Sequence, residues 1–434
     1  MYGTMSTSGG GVEEPGAETR KLSFRLLLIT SCGNILEWYD FAVYGYLTTV
    51  LARQFFPEQN PVAGVLATFG IFAVGFFGRI GGGLFYGLVS DRVGRVRALQ
   101  LSVLLMAGST TLMGLLPVYS QIGVLAPILL TVLRLLQGLS VGGEFATSMT
   151  VLSEQHSPGR RGWAASWCGA AGSTGFLLGA GAGACLSALL SPSALSSWGW
   201  RIPFLFGAVL GLVASVARRQ LSAIDTKRLE PARARHIMTK VWHEQRGAML
   251  ITIGGACLYM VAFYVPFVYL ATGIETHGHI PMSLALRLTT SALLLQVVLT
   301  PVGGWLADRV GARRLVTASC VGLAVFSPPL FELVQHGSVF GDAIVLLAFV
   351  ILYTPINAVA LMPLTMQFPR EVRGTAFAVS FNLAAAVFGG LSPFAADWLV
   401  DRTGSLSSPG WMQVFAALVS LVAFYKCPDD RTRK

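Results

Sequence analysis

Gly87-Leu88-Val89-Ser90-Asp91-Arg92-Val93-Gly94-Arg95-Val96-Arg97 has a counterpart half a chain later, Gly304-Trp305-Leu306-Ala307-Asp308-Arg309-Val310-Gly311-Ala312-Arg313-Arg314. Each copy of this G-x-x-x-D-R-x-G stretch closes one long apolar run and opens another. One such loop alone carries little information. Two copies, each at the end of a hydrophobic stretch of membrane length, imply a chain built from two homologous halves.

The composition agrees. Of 434 residues, 53% are apolar and only 12% charged, whereas a water-soluble chain usually carries about 25% charge. The six cysteines have no pairing rhythm and no C-x-x-C or H-x-x-x-H spacing occurs, so neither a disulfide frame nor a metal centre is expected. No G-x-x-x-x-G-K-[ST] loop is present either, so no cofactor or nucleotide is expected. The Gly- and Ser-rich N-terminus lacks a signal-peptide layout, so the first apolar run is expected to be retained.

A bilayer core about 30 Å thick takes roughly 20 apolar residues per helix. Stepping through the chain at that length gives twelve spans, near 24–50, 62–89, 98–118, 123–151, 163–190 and 199–217, then 247–273, 284–307, 315–335, 341–366, 374–401 and 410–426. The expected organisation is a tail 1–23, a six-helix bundle 24–217, a basic linker 218–246, a second bundle 247–426 and a short tail 427–434. With a cytoplasmic N-terminus, only Arg53, Arg201, Arg287 and Arg402 of the 31 Lys and Arg fall near outer ends, and Arg79 and Arg134 lie inside helices. That bias places both termini in the cytoplasm. The net charge of +10 is therefore a topology signal and calls for no nucleic-acid partner. Gly78 and Gly82, and Gly175, Gly179 and Gly183, recur every four residues and are expected to let helices approach closely.

Further stretches narrow the assignment. They are Gly33-Asn34-Ile35-Leu36-Glu37-Trp38-Tyr39-Asp40-Phe41, Arg134-Leu135-Leu136-Gln137-Gly138, Gly142-Gly143-Glu144, Pro158-Gly159-Arg160-Arg161-Gly162, Trp198-Gly199-Trp200-Arg201-Ile202-Pro203-Phe204 and Pro369-Arg370-Glu371-Val372-Arg373-Gly374. With the doubled Asp-Arg loop, these resemble the major facilitator superfamily. Within it the chain is similar to the metabolite:proton symporter family, over about residues 24 to 426. The resemblance implies an all-α membrane protein of twelve transmembrane helices in two pseudo-symmetric six-helix bundles. It also implies a small-molecule substrate moved with a proton between those halves, in the bacterial inner membrane and in contact with its lipid. The segments Phe388–Pro393 and Ser407–Trp411 look closest to the citrate-type branch. The coiled-coil tail of the osmosensing proline/betaine member is not matched, since the chain stops soon after Pro428. The Gly-Pro pair of drug/proton antiporters is also not matched in the fifth span.

Charge inside a membrane helix costs about 2.5–3.5 kcal/mol on insertion scales, so it is expected to be paired or functional. Glu37 and Asp40 lie three residues apart on adjoining parts of one face, where each raises the other's tendency to hold a proton. The alternative is that one of them pairs with Arg79 or Arg134. Arg79, deep in the second span, is the first candidate to grip an anionic substrate group, because a guanidinium stays charged and binds a carboxylate through two hydrogen bonds. A fixed ion pair with the first helix is the structural alternative. Arg134 falls on the motif arginine that the resemblance links to proton coupling, and Glu144 belongs either to that route or to the inner gate. By the same resemblance Asp91, Arg92, Asp308 and Arg309 form contacts that hold the inner side shut. Trp38, Tyr39, Tyr264, Gln296, Asn357 and Asn382 complete the expected substrate set, with Tyr259 and Tyr269 as further cavity-facing candidates. Trp38, Tyr39 and Tyr264 suit a quaternary ammonium, which aromatic faces attract. None of the six histidines falls at mid-membrane.

The leading expectation is proton symport of a small di- or tricarboxylate such as citrate or α-ketoglutarate, by alternating access. A zwitterionic osmolyte such as proline or glycine betaine is the alternative substrate. A membrane enzyme is disfavoured by the scarcity of buried polar groups. A non-transporting sensor would need a partner at the basic linker.

Overall fold

The structure, a computed structural model, describes residues 33–56, 61–93, 95–141, 144–155, 158–221, 241–277, 280–336 and 338–428. The expected tail 1–23 lies outside these residues, as do most of the linker 218–246 and of the tail 427–434.

Twelve helical passages run through the described residues. The first half contains α1 (33–46, resuming after Leu47 as Thr48–Phe55), α2 (Pro61–Val93), α3 (Arg95–Leu115), α4 (Leu125–Ser140, resuming as Glu144–Gln155), α5 (Arg161–Leu189) and α6 (Arg201–Leu221). The second contains α7 (Arg246–Tyr264, then Val265–Tyr269 and Leu270–His277), α8 (Met282–Val310), α9 (Ala312–Gln335), α10 (Val339–Val359, then Leu361–Met366), α11 (Arg373–Ala384, then Ala385–Gly390 and Leu391–Thr403) and α12 (Ser408–Lys426). Among the described residues eight helices are long and apolar enough to cross a membrane, and Gln100–Leu115, Leu125–Ser140 and Arg201–Val213 are shorter apolar ones. Helices dominate because a bilayer offers no water to satisfy backbone N–H and C=O groups, so each segment must satisfy its own. The outward side chains match that solvent: Leu189, Leu212, Leu250, Phe340 and Trp411 are all exposed.

Several helices are not the uniform rods that hydrophobic runs alone predict. The expected span 123–151 is broken between Ser140 and Glu144. Midway, α7 widens into a π-helical stretch at Val265–Tyr269, where Pro266 has no backbone N–H to give and its ring crowds the preceding turn. A second π-helical stretch, Ala385–Gly390, interrupts α11. Its Gly390 lies where a Cβ would come 2.9 Å from the Phe76 side chain.

The glycine pattern does what its spacing requires, with one correction. Gly78 and Gly82 let α2 lie against the Leu135 and Leu139 carbonyls of α4, and Gly138 presses on the Gly75 carbonyl in return. Gly175 and Gly179 seat α5 on α1 at Ile35 and Ala42, but Gly183 turns to Leu286 of α8. The stripe therefore serves two partners, one in each half. The seam between α5 and α8 is the most extensive helix–helix contact among the described residues, and α2 against α11 forms the other main contact between the halves.

Candidate functional site

The α1 sequence Glu37-Trp38-Tyr39-Asp40-Phe41 spreads its side chains over more than a full turn, so neighbours meet different helices. Glu37, 1% exposed, points to α2, where its Oε1 lies 2.6 Å from Nη2 of Arg79, itself 2% exposed. Arg79 Nε donates to Asn382 Oδ1 of α11 at 3.2 Å, which ties the pair to the other half of the molecule. The guanidinium is also packed over rings, 5.3 Å from the Trp38 centroid, 5.6 Å from Phe41 and 5.7 Å from Phe76. This is a desolvated ion pair with an interdomain hydrogen bond, at about mid-depth in α2.

Asp40 turns elsewhere. It is fully buried beside Arg134, Gln137 and Thr110, and the Gly207 backbone of α6 leaves room for it. Neither carboxylate oxygen accepts a well-formed hydrogen bond among the described residues. Arg134 Nη1 donates to Gln137 Oε1, and Gln137 Nε2 donates to Thr110 Oγ1 at 2.7 Å. The Arg134 guanidinium lies 4.2 Å from the Tyr44 ring centroid, 4.8 Å from Phe41 and 5.3 Å from Phe72. The two carboxylates thus face two different arginines instead of chiefly each other. Their three-residue spacing, about 60° apart around the helix, permits that divergence.

On the other side of Trp38 from Arg79's hydrogen-bonding partners lies a small cavity of about 20 Å³, room for roughly one water, which Arg79 itself does not line. Its wall is largely aromatic: Trp38, Phe176, Tyr259, Phe263, Tyr264 and Tyr353. Ser173 and Asn357 add polar groups, and Gly169 and Gly172 keep the α5 side low. The Trp38 Nε1 and the Tyr264 hydroxyl are buried without a hydrogen-bond partner among the described residues. Asn357 Nδ2 donates to Ser173 Oγ of α5 and to Thr300 Oγ1 of α8, both at 3.0 Å, and Gln296 Nε2 donates to the same threonine at 3.2 Å. The cavity wall is therefore neutral, made of rings and an amide–hydroxyl group, with Arg79 packed behind Trp38.

Most of the substrate candidates converge here, but not all. Trp38, Tyr259, Tyr264 and Asn357 line the cavity, Asn382 holds Arg79, and Gln296 is linked to Asn357 through their shared acceptor Thr300. Tyr39 is misplaced by the sequence-based expectation. Its hydroxyl donates to the Pro203 carbonyl of α6 at 2.8 Å and its ring packs on Phe206, so it belongs to the α1–α6 seam. One residue along a helix is a 100° rotation, enough to carry Tyr39 away from the cavity that Trp38 faces. Tyr269 packs against Phe69 and Gly273 and does not line the cavity either. Ser173, Thr300, Thr110, Phe176 and Phe263 were not singled out by sequence. Small hydroxyl residues and phenylalanines are too common in membrane helices to carry a signal of their own.

The halves touch on both sides of the cavity. At the end carrying the doubled motif, Asp308 accepts from the Gly162 and Trp163 amides at 2.7 and 2.9 Å, capping the start of α5. The opposite end is joined by Tyr46 Oη donating to the Phe267 carbonyl at 2.8 Å and Thr49 Oγ1 donating to Glu275 Oε2 at 3.0 Å. Arg309 is exposed and stacks on Trp305, 3.8 Å from guanidinium carbon to ring centroid, so it is not part of the Asp308 clamp. Asp91, Arg92 and Glu144 lie on described helices, but their side chains lie outside the described set.

A model of the Major Facilitator Superfamily matches residues 31–380. The citrate-proton symporter of Klebsiella pneumoniae is 35% identical over 402 residues, covering 92% of this chain and 90% of that protein. The proline/betaine transporter of Escherichia coli (strain K12) is 31% identical over 418 residues, covering 92% of this chain and 82% of its own. Among solved structures, the partially occluded inward open conformation of the xylose transporter XylE from E. coli superposes with a TM-score of 0.73. The sequence identity is 19%, covering 95% of this chain and 100% of the other, a likeness of fold alone.

Proposed function

Because the chain belongs to the major facilitator superfamily, we propose that it is a secondary active transporter that moves a small organic acid together with a proton by alternating access. Di- and tricarboxylates of the citrate type are the leading substrates. The observation that carries this reading is Arg79, buried behind the Trp38 wall of the cavity, neutralised by Glu37 and joined to Asn382 of the opposite half. A substrate carboxylate is the natural competitor of Glu37 for that guanidinium, since both offer the same two-oxygen acceptor. Protonation of Glu37 removes the resident competitor. Proton and carboxylate therefore enter together, with no net change in the charge around Arg79.

Asp40 and Arg134 form a second carboxylate–guanidinium neighbourhood within the first half, where proton gain or loss shifts α1 against α3 and α4. Asp308 at the α5 N-terminus closes the motif end, and the Tyr46 and Thr49 contacts close the other. The relatives are bacterial, which supports the inner membrane as its location, with both termini cytoplasmic from the distribution of positive charge.

A second substrate reading has its own support. The aromatic wall of Trp38, Phe176, Tyr259, Phe263, Tyr264 and Tyr353 suits a zwitterion whose carboxylate meets Arg79 and whose ammonium group meets ring faces. The deciding experiment uses purified protein in liposomes loaded with a pH-sensitive dye and a panel of citrate, α-ketoglutarate, shikimate, proline and glycine betaine. Substrate-dependent acidification of the lumen, absent in Arg79→Ala, supports symport and names the substrate. Substrate entry with no proton movement refutes the coupling.

A further inference from the structure

Arg79 does not line the cavity but packs on the outer side of its Trp38 wall, 5.3 Å from the ring centroid, and its charge is already matched by Glu37 at 2.6 Å. None of the cavity-lining residues is charged. Arg134 stacks on Phe41, Tyr44 and Phe72, none of which lines the cavity. The lining itself is neutral: Asn357 and Ser173, with Thr300 and Gln296 behind them, and aromatic rings whose faces repel an anion and attract a cation.

Resting on the reading of Arg79 as the carboxylate clamp, we propose that this site, once opened beyond the one-water cavity it encloses here, selects substrates by charge state. It takes one ionised carboxylate at Arg79 and requires the rest of the molecule to be neutral or cationic, with Asn357 and Ser173 receiving a neutral hydrogen-bonding group there. A second ionised carboxylate would meet no cation in the lining, only the neutral unpaired donors Trp38 Nε1 and the Tyr264 hydroxyl, and a buried anion without a counter-charge is strongly disfavoured. A carboxyl that has taken up a proton fits, because it is neutral and its O–H donates to an amide or hydroxyl oxygen. Gln296 Oε1, buried with no hydrogen-bond partner among the described residues, leaves acceptor capacity in that network. Polycarboxylic acids then enter as their mono-ionised forms. Zwitterions with one carboxylate satisfy the same rule, so both substrate chemistries follow from one arrangement of charge.

The test uses matched pairs that differ by one charge and little in shape: succinate with succinamate, and 2-oxoglutarate with 2-oxoglutaramate. Proline and glycine betaine are added as single-carboxylate zwitterions. Binding to the purified full-length protein is measured by calorimetry at pH 5.5 and 7.5. The expected result is that each monoamide binds about tenfold or more tighter than its parent diacid at pH 7.5. The diacid should recover at pH 5.5 in proportion to its mono-ionised fraction, while the monoamide changes little. This comparison uses the unaltered protein, so folding of a variant is not in question. A diacid that binds as tightly as its monoamide at pH 7.5 overturns the proposal. Failure of all these compounds to bind overturns both the proposal and the Arg79 reading. Arg79→Gln separates the two, with intact folding checked by its melting curve. Loss of monoamide binding in that variant upholds the clamp whichever member of the pair is preferred, and undiminished binding removes the clamp itself.

Discussion

Replacing Glu37 by Gln tests the competition for Arg79 most directly. Carboxylate and guanidinium are in contact at 2.6 Å with both side chains almost fully buried. At a charge separation of roughly 4 Å and an effective dielectric near 20, their attraction is about 4 kcal/mol. A glutamine keeps an oxygen for Arg79, and a hydrogen bond to a charged group returns about 1.5–3 kcal/mol. The difference, about 1–2.5 kcal/mol, is what an incoming carboxylate no longer has to overcome, and it corresponds to roughly tenfold tighter substrate binding. The same change removes the proton site. Glu37→Gln should therefore bind substrate more tightly and exchange labelled for unlabelled substrate across proteoliposomes, yet fail to accumulate it uphill on a pH gradient. Dye-reported proton entry should vanish with it. A folded Glu37→Gln protein that still concentrates substrate with proton movement would refute the exchange mechanism. Weaker binding in that variant would mean that Glu37 positions Arg79 and does not compete with the substrate.

Four further outcomes are expected. Gly138→Ala drives a Cβ into the Gly75 carbonyl at the α2–α4 crossing and should cost several kcal/mol, read as loss of folded protein on size-exclusion chromatography. Gly108→Ala, where nothing lies within 4 Å of the added Cβ, should be neutral or raise Tm by the helix-propensity difference of about 1 kcal/mol. Tyr39→Phe removes one hydrogen bond to the Pro203 carbonyl, so it should cost about 1 kcal/mol of stability and leave the transport KM unchanged, unlike Trp38→Ala. Asp308→Asn retains the side-chain shape but loses the charge at the α5 N-terminus, worth about 0.3–1 kcal/mol. It should increase labelling of a cysteine placed near Gly162, because the motif end opens more often.

The sequence by itself determined the twelve passages, their two-fold repetition and the short set of residues able to carry charge inside them. The reason is that a bilayer core imposes a fixed length of apolar chain per crossing and penalises every unpaired charge, and both constraints are written one residue at a time. Arg79, Arg134, Glu37 and Asp40 stood out for that reason before any contact was known. Their partnerships did not. Whether Glu37 or Asp40 meets Arg79 depends on the rotation of α1 about its axis, and that rotation is set by Gly175 and Gly179 of α5 pressing on Ile35 and Ala42. The same rotation carries Trp38 into the cavity and Tyr39 into the α6 seam. Asn382 reaches Arg79 from 303 residues away, a separation over which no local pattern carries information. The wide turn at Val265–Tyr269 had a visible cause in Pro266, whereas that at Ala385–Gly390 depends on how α11 packs against Phe76 and Tyr264. Helix length and charge burial are properties of a segment in its solvent. Helix rotation, and with it the pairing of each buried charge, is a property of the packed assembly.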